Sequence, residues 1–520
     1  MHLSLQSEAT LDQETRDLYK ELCSATKQGD LEKTESLVKS FGAPINFVDE
    51  WQCSPLYWAC LCGHYEVVKF LLENGAQCDR NTFQGEIRNL LLSYKLTKAI
   101  DENQPYLQFL SGLLAKPDYK DLTFTIPLAD QDGAAYREFS VHRFVLAARS
   151  EFFRLRLLTR WRGNTRISLQ ATLVDSVSFA AILGFLYTGH IGDLEPSALD
   201  NAVFVCKHLE LWNAVERFRD IQEDTQNADR SHDSKEIARI RGDLGACLAC
   251  LIDTAVKILP GSNDKSYIVS ERFVHTAVPR DPLSTFADVA VRLDDVVFPC
   301  HKACLVRSEY FEAMLGGMFS EAEMDASSIQ FEDGNCLTVP MLQVHGIDAD
   351  LFPHILEYMY TDRCMVPAEL AYELMLAADM LLLDRLKGIA AIVLTNQEEP
   401  VMDIYQLIRT AVDLNIDRLE QWCIKYFAEH FDDFIHKEEF KALILESAES
   451  IAGRQETDTI PFVDDLRYFL SKKYSVDEED INEDGTMNEE YRDTWTELIL
   501  QYRSKLTILD DVLVSLGLEA

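Results

Sequence analysis

The stretch DVAVRLDDVVFPCHKACLVRSEYFEAML, residues 288–315, decides the fold. From Asp288 to Leu293 apolar and polar side chains alternate, the pattern of a half-buried strand. Asp294 and Asp295 suit a tight hairpin turn, Val296 to Phe298 suit the return strand, and Pro299 is expected to end it. His301 to Leu305 and Ser308 to Leu315 carry apolar residues at helical spacing, with Ser308 placed as an N-cap. The expectation is strand, turn, strand and two short helices.

The pattern occurs twice. Asp121 to Ile126 and Phe139 to Phe153 repeat it, with an insertion from Pro127 to Arg137 that lengthens the hairpin. Downstream, each copy carries a helix ending in a Tyr-Thr pair, Phe179 to Thr188 and Leu351 to Thr361. An apolar helical pair then follows each, Ala198 to Phe218 and Ala368 to Leu394. This is an internal repeat of domain length.

The flanks read differently. Ser54 to Ala76 places Pro55 at a helix start, Gly63 at a break, an apolar face from Val67 to Leu72, and Gly75 at the closing turn. A looser copy spans Leu18 to Ala43, and a third begins at Asn81 without room for its first helix. Leu107 to Leu114 is an amphipathic helix ahead of the first copy. The second copy lacks a clear equivalent, because Val278 to Thr285 is expected to be extended and is interrupted by proline. Asp220 to Lys235 reads as a polar, solvated linker and Ile237 to Leu259 as helix. Helical hairpins are expected from Asp403 to Phe431 and Phe440 to Ala452, an acidic run from Val476 to Asp484, and a last helix from Thr494 to Leu518.

Composition bounds the function. The 520 residues allow three or four domains, and 47% hydrophobic with 26% charged residues suits a folded soluble chain. Against 49 Lys and Arg stand 87 Asp and Glu, a net charge of −38 that repels phosphate backbones and anionic membranes. No nucleic-acid or membrane partner is expected, since no apolar run is long enough to span a bilayer and the N-terminus lacks a secretory pattern. Thirteen scattered cysteines read as reduced thiols.

No catalytic constellation or metal site emerges, and no cofactor is expected. His142 and His301 lack a nucleophile or acid partner and read as structural, beside Asp121 with Arg143 and Asp288 with Lys302. His64 reads as a link between N-terminal repeats. Cys247 and Cys250 form a lone C-x-x-C with no second ligand pair. Asp480, Asn482, Asp484 and Gly485 match the start of a calcium loop, but Tyr491 stands where its bidentate glutamate belongs. A solvated acidic loop without sensor affinity for calcium is expected.

The repeated block resembles the BTB/POZ domain, and Ser54 to Ala76 resembles the ankyrin repeat. The whole chain resembles the ankyrin-repeat and BTB/POZ domain-containing proteins. The resemblance implies an α+β, mostly helical chain with ankyrin repeats over 1–100 and a first BTB/POZ domain over 105–220. It further implies a linker and helix over 221–280, a second BTB/POZ domain over 281–395 and BACK-like helices over 400–520. The implied function is a substrate adaptor of a cullin-3 RING ubiquitin ligase, cytoplasmic or also nuclear, with no bond chemistry of its own. In such adaptors cullin is met by an apolar-x-Glu motif, which Phe319, Ser320 and Glu321 fit in letters; an alternative register puts Met324, Asp325 and Ala326 there. The first copy has Trp161 in this region and fits worse. Trp51, Tyr57 and Trp58 are the candidate anchors for a protein substrate, with packing inside the protein as the alternative. The two BTB-like copies are expected to pair within one chain, with pairing between two chains as the other solution. The rival function is a BTB and ankyrin scaffold that binds no cullin.

Overall fold

In a computed structural model, the described residues are 6–7, 13–39, 41, 43–48, 54–61, 64, 67–68, 70–71, 74, 76, 104–127, 136–170, 172–192, 194–222, 230–258, 267–273, 282–316, 326–330, 336–450, 460–476 and 497–518. The fold is mostly helical with smaller sheets. Two compact units form, one of residues 103–397 and the other of 1–102 together with 398–520. Among the described residues no helix is long and apolar enough to cross a membrane.

The N-terminal segment pairs helices α1 (Gln13–Gln28) and α2 (Leu31–Lys39), then adds α3 (Pro55–Leu61). Two small cores form, one around Leu22, Ala25 and Leu37, the other around Leu56, Val67, Val68 and Leu71. Gly29 makes the turn between α1 and α2 at φ 70°, and a Cβ there would lie 2.5 Å from His64 Nδ1. His64 Nε2 sits 3.0 Å from the Lys27 carbonyl, so the imidazole links successive repeats. The segment from Asn81 lies outside the described residues.

The central unit opens with α4 (Gln104–Ala115). The first repeat copy follows as β3 (Leu122–Pro127), β4 (Tyr136–Val141), α5 (Arg143–Arg149), α6 (Glu151–Leu158) and β5 (Arg166–Ser168), the earlier strands β1 (Gln6–Ser7) and β2 (Phe47–Val48) forming a separate small ladder. Its sheet has the order β4-β3-β5, antiparallel on one side and parallel on the other. Leu122, Phe124 and Ile126 point inward, as the period-two pattern requires. Helix α7 (Ser176–Thr188) starts on the Asp175 carboxylate, which accepts from Ser178 N at 2.9 Å, and α8 (Pro196–His208) and α9 (Trp212–Gln222) complete the copy.

The described residues of the segment read as linker, 220–222 and 230–235, are helical. Helix α9 continues to Gln222, and α10 runs from Arg230 to Asp253. Ile237, Ile240, Leu244, Leu248 and Leu251 recur at helical spacing on its buried face. Helix α10 stops before Leu259, because the chain turns into strand β6 (Val256–Ile258), which pairs with β7 (Tyr267–Val269).

The second copy contains β8 (Val289–Leu293), β9 (Val296–Cys300), α11 (Lys302–Leu305), α12 (Glu309–Leu315), β10 (Ala326–Gln330), β11 (Cys336–Val344) and α13 (Phe352–Thr361). Its sheet order is β10-β11-β8-β9-β6-β7. Leu293 pairs with Val296, so Asp294 and Asp295 form a two-residue loop, with Asp294 at φ 49°. Pro299 does not end the strand, since the ladder continues to Cys300 opposite Val289. Pro282 to Thr285, expected to be extended, is a 3-10 turn. Helices α14 (Ala371–Met380) and α15 (Asp384–Thr395) pack on each other as the expected pair.

Beyond the central unit lie α16 (Ile404–Asp413), α17 (Asp417–Glu429), the single turn α18 (Phe431–Phe434), α19 (Glu438–Ser450), α20 (Pro461–Lys473) and α21 (Glu497–Ser515). Phe427 meets Phe434 and Phe440 at centroid distances of 5.0 and 5.4 Å, and Phe440 meets Phe462 at 5.5 Å. This aromatic core joins α17, α18, α19 and α20. Arg467 reaches Asp510 at 3.1 Å and ties α20 to α21.

Candidate functional site: the paired core of the central unit

Each copy places a histidine at the end of its hairpin and locks it the same way. His142 N donates to Tyr187 Oη at 2.8 Å, Nδ1 lies 3.0 Å from that hydroxyl, and Nε2 faces the Asp118 carbonyl at 3.2 Å. His301 repeats this with Tyr360 Oη at 3.1 and 2.8 Å and the Thr285 carbonyl at 2.8 Å. A carbonyl oxygen only accepts, so in the neutral ring Nδ1 is the acceptor and receives the hydrogen bond of the tyrosine hydroxyl. Nε2 therefore carries the ring proton and donates to the carbonyl. Burial pushes His142 down to about 4 and His301 down to about 3, so both rings are neutral at pH 7. The strand aspartates hold backbone rather than catalytic groups. Asp121 accepts from Arg143 N and Asp288 from Lys302 N, each at 2.8 Å.

Burial also pushes the thiols of Cys300 and Cys304 well above the ordinary cysteine range and that of Cys247 up to about 12. They stay protonated at neutral pH and are poor nucleophiles. The histidines and thiols thus build structure.

The copies meet face to face within the central unit. Phe144 of α5 stacks on the His301 ring, with centroids 4.0 Å apart and planes 17° apart. Phe144, Val145 and Tyr187 of the first copy share one apolar cluster with Val289, Phe298, Phe352 and Tyr360 of the second. Tyr106 of α4 donates its hydroxyl to the Tyr360 carbonyl at 2.8 Å.

The second copy does have a leading helix, contrary to the sequence reading. It is α10, which packs on both α13 and α5. The expectation failed because the strand pair β6–β7 separates α10 from β8 along the chain, so the helix read over Ile237 to Leu259 was not connected with the second copy.

Two equivalent arginines, each preceding an N-cap serine, bind the faces together. Ser150 accepts from Phe153 N and Ser308 from Phe311 N, each at 3.3 Å. Arg149 donates to the Leu186 carbonyl at the end of its own α7 and pairs with Glu236 and Asp243 on α10. Arg307 donates to the Tyr358 and Met359 carbonyls of its own α13 and lies 4.6 Å from the Phe109 ring on α4. Each copy therefore grips the helix that leads the other, the reciprocity of a two-fold interface. Neither arginine was singled out in the sequence; the recurring Arg-Ser pair at 149–150 and 307–308 was the available signal.

Phe319, Ser320, Glu321 and Met324 lie outside the described residues, as do Trp51 and the loop from Asp480 to Tyr491. Tyr57 and Trp58 lie on α3, half-buried, and Lys27 Nζ stands 3.6 Å from the centre of the Trp58 ring. The ring thus packs between repeats while keeping some exposure.

The neutral histidines make the central unit acid-sensitive. The unfolded chain takes up protons near the ordinary histidine value of 6.5, whereas the folded rings resist until about 4 and about 3. Their stabilisation is complete above 6.5 and fades as pH falls toward those values. Asp288, raised by burial to about 6, runs oppositely and offsets part of the loss, because the folded form takes its proton first. From pH 7 to 5 the net loss is expected to be about 2 kcal/mol. Urea unfolding at both pH values measures it; an unchanged midpoint would contradict the neutral-ring assignment.

Comparison with known proteins agrees with this geometry. Residues 116–226 and 282–398 each match the BTB/POZ domain, and residues 6–82 match ankyrin repeats in three copies. BTB/POZ domain-containing protein 3 of Schizosaccharomyces pombe is 36% identical over 515 residues, covering 96% of this chain and 90% of that protein. Ankyrin repeat-containing protein YIL001W of Saccharomyces cerevisiae is 30% identical over 490 residues, covering 89% of this chain and 91% of that protein. Kelch-like protein 25 of Rattus norvegicus is 25% identical over 175 residues, covering 34% of this chain and 27% of that protein. Two repeat copies with one histidine–tyrosine lock, an N-terminal repeat array and relatives of matching length place this chain in the family of ankyrin-repeat and BTB/POZ domain-containing proteins.

Proposed function

We propose that this protein is a substrate adaptor of a cullin-3 RING ubiquitin ligase, working in the cytoplasm or nucleus through protein–protein contacts and carrying no bond chemistry itself. The observation that carries the reading is the order of parts. A second BTB/POZ module runs into the helical pair α14–α15, and helical hairpins α16–α17 and α19–α20 follow. The adaptor raises the effective concentration of client lysines near the ubiquitin carrier. Two BTB faces that cover one another inside a single chain favour a monomer, leaving the outer surface of the second module for cullin. The ankyrin array, with Tyr57 and Trp58 partly exposed, is the proposed client-facing part.

The test is capture of the purified cullin-3 N-terminal domain by the full-length chain. Phe319→Ala is expected to weaken binding by about 1–3 kcal/mol, roughly 5- to 150-fold, if Phe319 is the apolar anchor of the contact. An unchanged dissociation constant for that variant would discard this register. Absence of binding by the wild-type chain would discard the ligase reading in favour of an interaction scaffold.

A further inference from the structure

Helix α13 carries a polar cluster that the pairing does not use. His354 and Glu357 stand three residues apart and so share one face of the helix. Cys364 follows after the turn that ends α13. One ligand atom from each of the three side chains lies within 4.8 Å of the others, and all three side chains are half-buried. The His354 imidazole makes no hydrogen bond to any described residue. The Cys364 thiol hydrogen-bonds the Glu357 carboxylate, which also accepts from Met365 N at 3.4 Å.

The turn that delivers Cys364 is fixed from several sides. Asp362 takes a left-handed conformation at φ 59°, its N–H donates to the Tyr358 carbonyl, and its carboxylate pairs with Arg307 and Arg385. Thr361 Oγ1 lies 2.6 Å from the Glu357 carbonyl and accepts from Arg363 N at 3.3 Å. The cysteine is therefore held over the helix by the surrounding fold.

We propose that His354, Glu357 and Cys364 form a binding site for one zinc ion, with water as the fourth ligand. Imidazole, carboxylate and thiolate are the ligands that this borderline-soft cation takes. Bonds of about 2.0–2.3 Å in a tetrahedral frame set ligand atoms about 3.5 Å apart, so the side chains close by about 1 Å around the ion. The ion ties the chain after α13 back onto that helix. The first module provides an internal contrast. Aligned on Tyr187 and Tyr360, its equivalent positions are Ala181, Gly184 and Ile191, none of which can ligate. The cluster therefore belongs to the second module alone and is not part of the histidine–tyrosine architecture that both share.

The experiment titrates the full-length, reduced, metal-stripped chain with cobalt and then zinc. Cobalt is expected to produce a near-ultraviolet thiolate charge-transfer band that zinc abolishes. Cys364→Ala should remove one equivalent of that band, and His354→Ala should weaken zinc binding at least tenfold in a chelator competition. Cys250→Ala, on α10, should change neither. Circular dichroism and melting of the metal-free variants separate lost ligation from lost folding. Equal cobalt stoichiometry and equal zinc affinity in the wild type and Cys364→Ala would overturn the site, as would a wild type that takes up no cobalt at micromolar concentration.

Discussion

Arg149→Ala is expected to destabilise the central unit by about 3–5 kcal/mol, the range for breaking a buried ion pair by removing one partner. The Arg149 side chain is only 3% exposed and its partner Glu236 only 10%, so alanine strips a desolvated carboxylate of its buried cation and leaves it only the half-exposed Arg239, 2.8 Å away. Asp243, 35% exposed, is better solvated and adds less. The Leu186 carbonyl loses its donor as well. Urea unfolding of the full chain gives the size, and hydrogen exchange should show the loss concentrated in α10. The double variant Arg149→Leu with Glu236→Leu should recover most of it, because two apolar side chains replace the buried pair and the charges left over, Asp243 and Arg239, are partly solvated. If the single variant costs less than about 1 kcal/mol, the arginine is a solvated surface group and does not bind the two modules together.

Phe144→Ala should have a similar effect by another route. A buried phenylalanine cut to alanine loses transfer free energy and leaves a cavity, about 3–5 kcal/mol together. This ring belongs to the first module but packs on the His301 imidazole of the second, so the loss should appear as faster exchange in both. Sedimentation equilibrium of the wild type is expected to give the 59.3 kDa mass of one chain. A stable species of twice that mass at nanomolar concentration would mean that the same faces pair between chains. If the variant left exchange in the second module unchanged, the two modules would not share one core.

The modules were readable in the sequence because each rests on local signals. The apolar strand Val289–Leu293, which the fold buries on both faces and not on one as its pattern suggested, the Asp294–Asp295 turn, the N-cap Ser308 and the Tyr-Thr helix ends act over a few residues, and the repetition of the set doubles their weight. The same holds for α16, α17 and α19, whose apolar spacing predicted them. The start of α10, Arg230 to Lys235, misled, since polar composition alone does not separate a solvated linker from the first turns of a helix. The proposed zinc cluster has one readable part, the His354 and Glu357 spacing, while Cys364 joins them only through the left-handed turn at Asp362.

The sequence by itself determined that this protein is built from ankyrin repeats, two BTB/POZ modules and a helical tail, since those motifs are encoded within short windows. Only the tertiary structure decided how the two modules engage. Arg149 lies 87 residues from Glu236 and 94 from Asp243, and Tyr106 lies 254 from Tyr360. Which charges and rings meet over such separations depends on burial of complementary faces, a property of the folded chain that no local pattern carries.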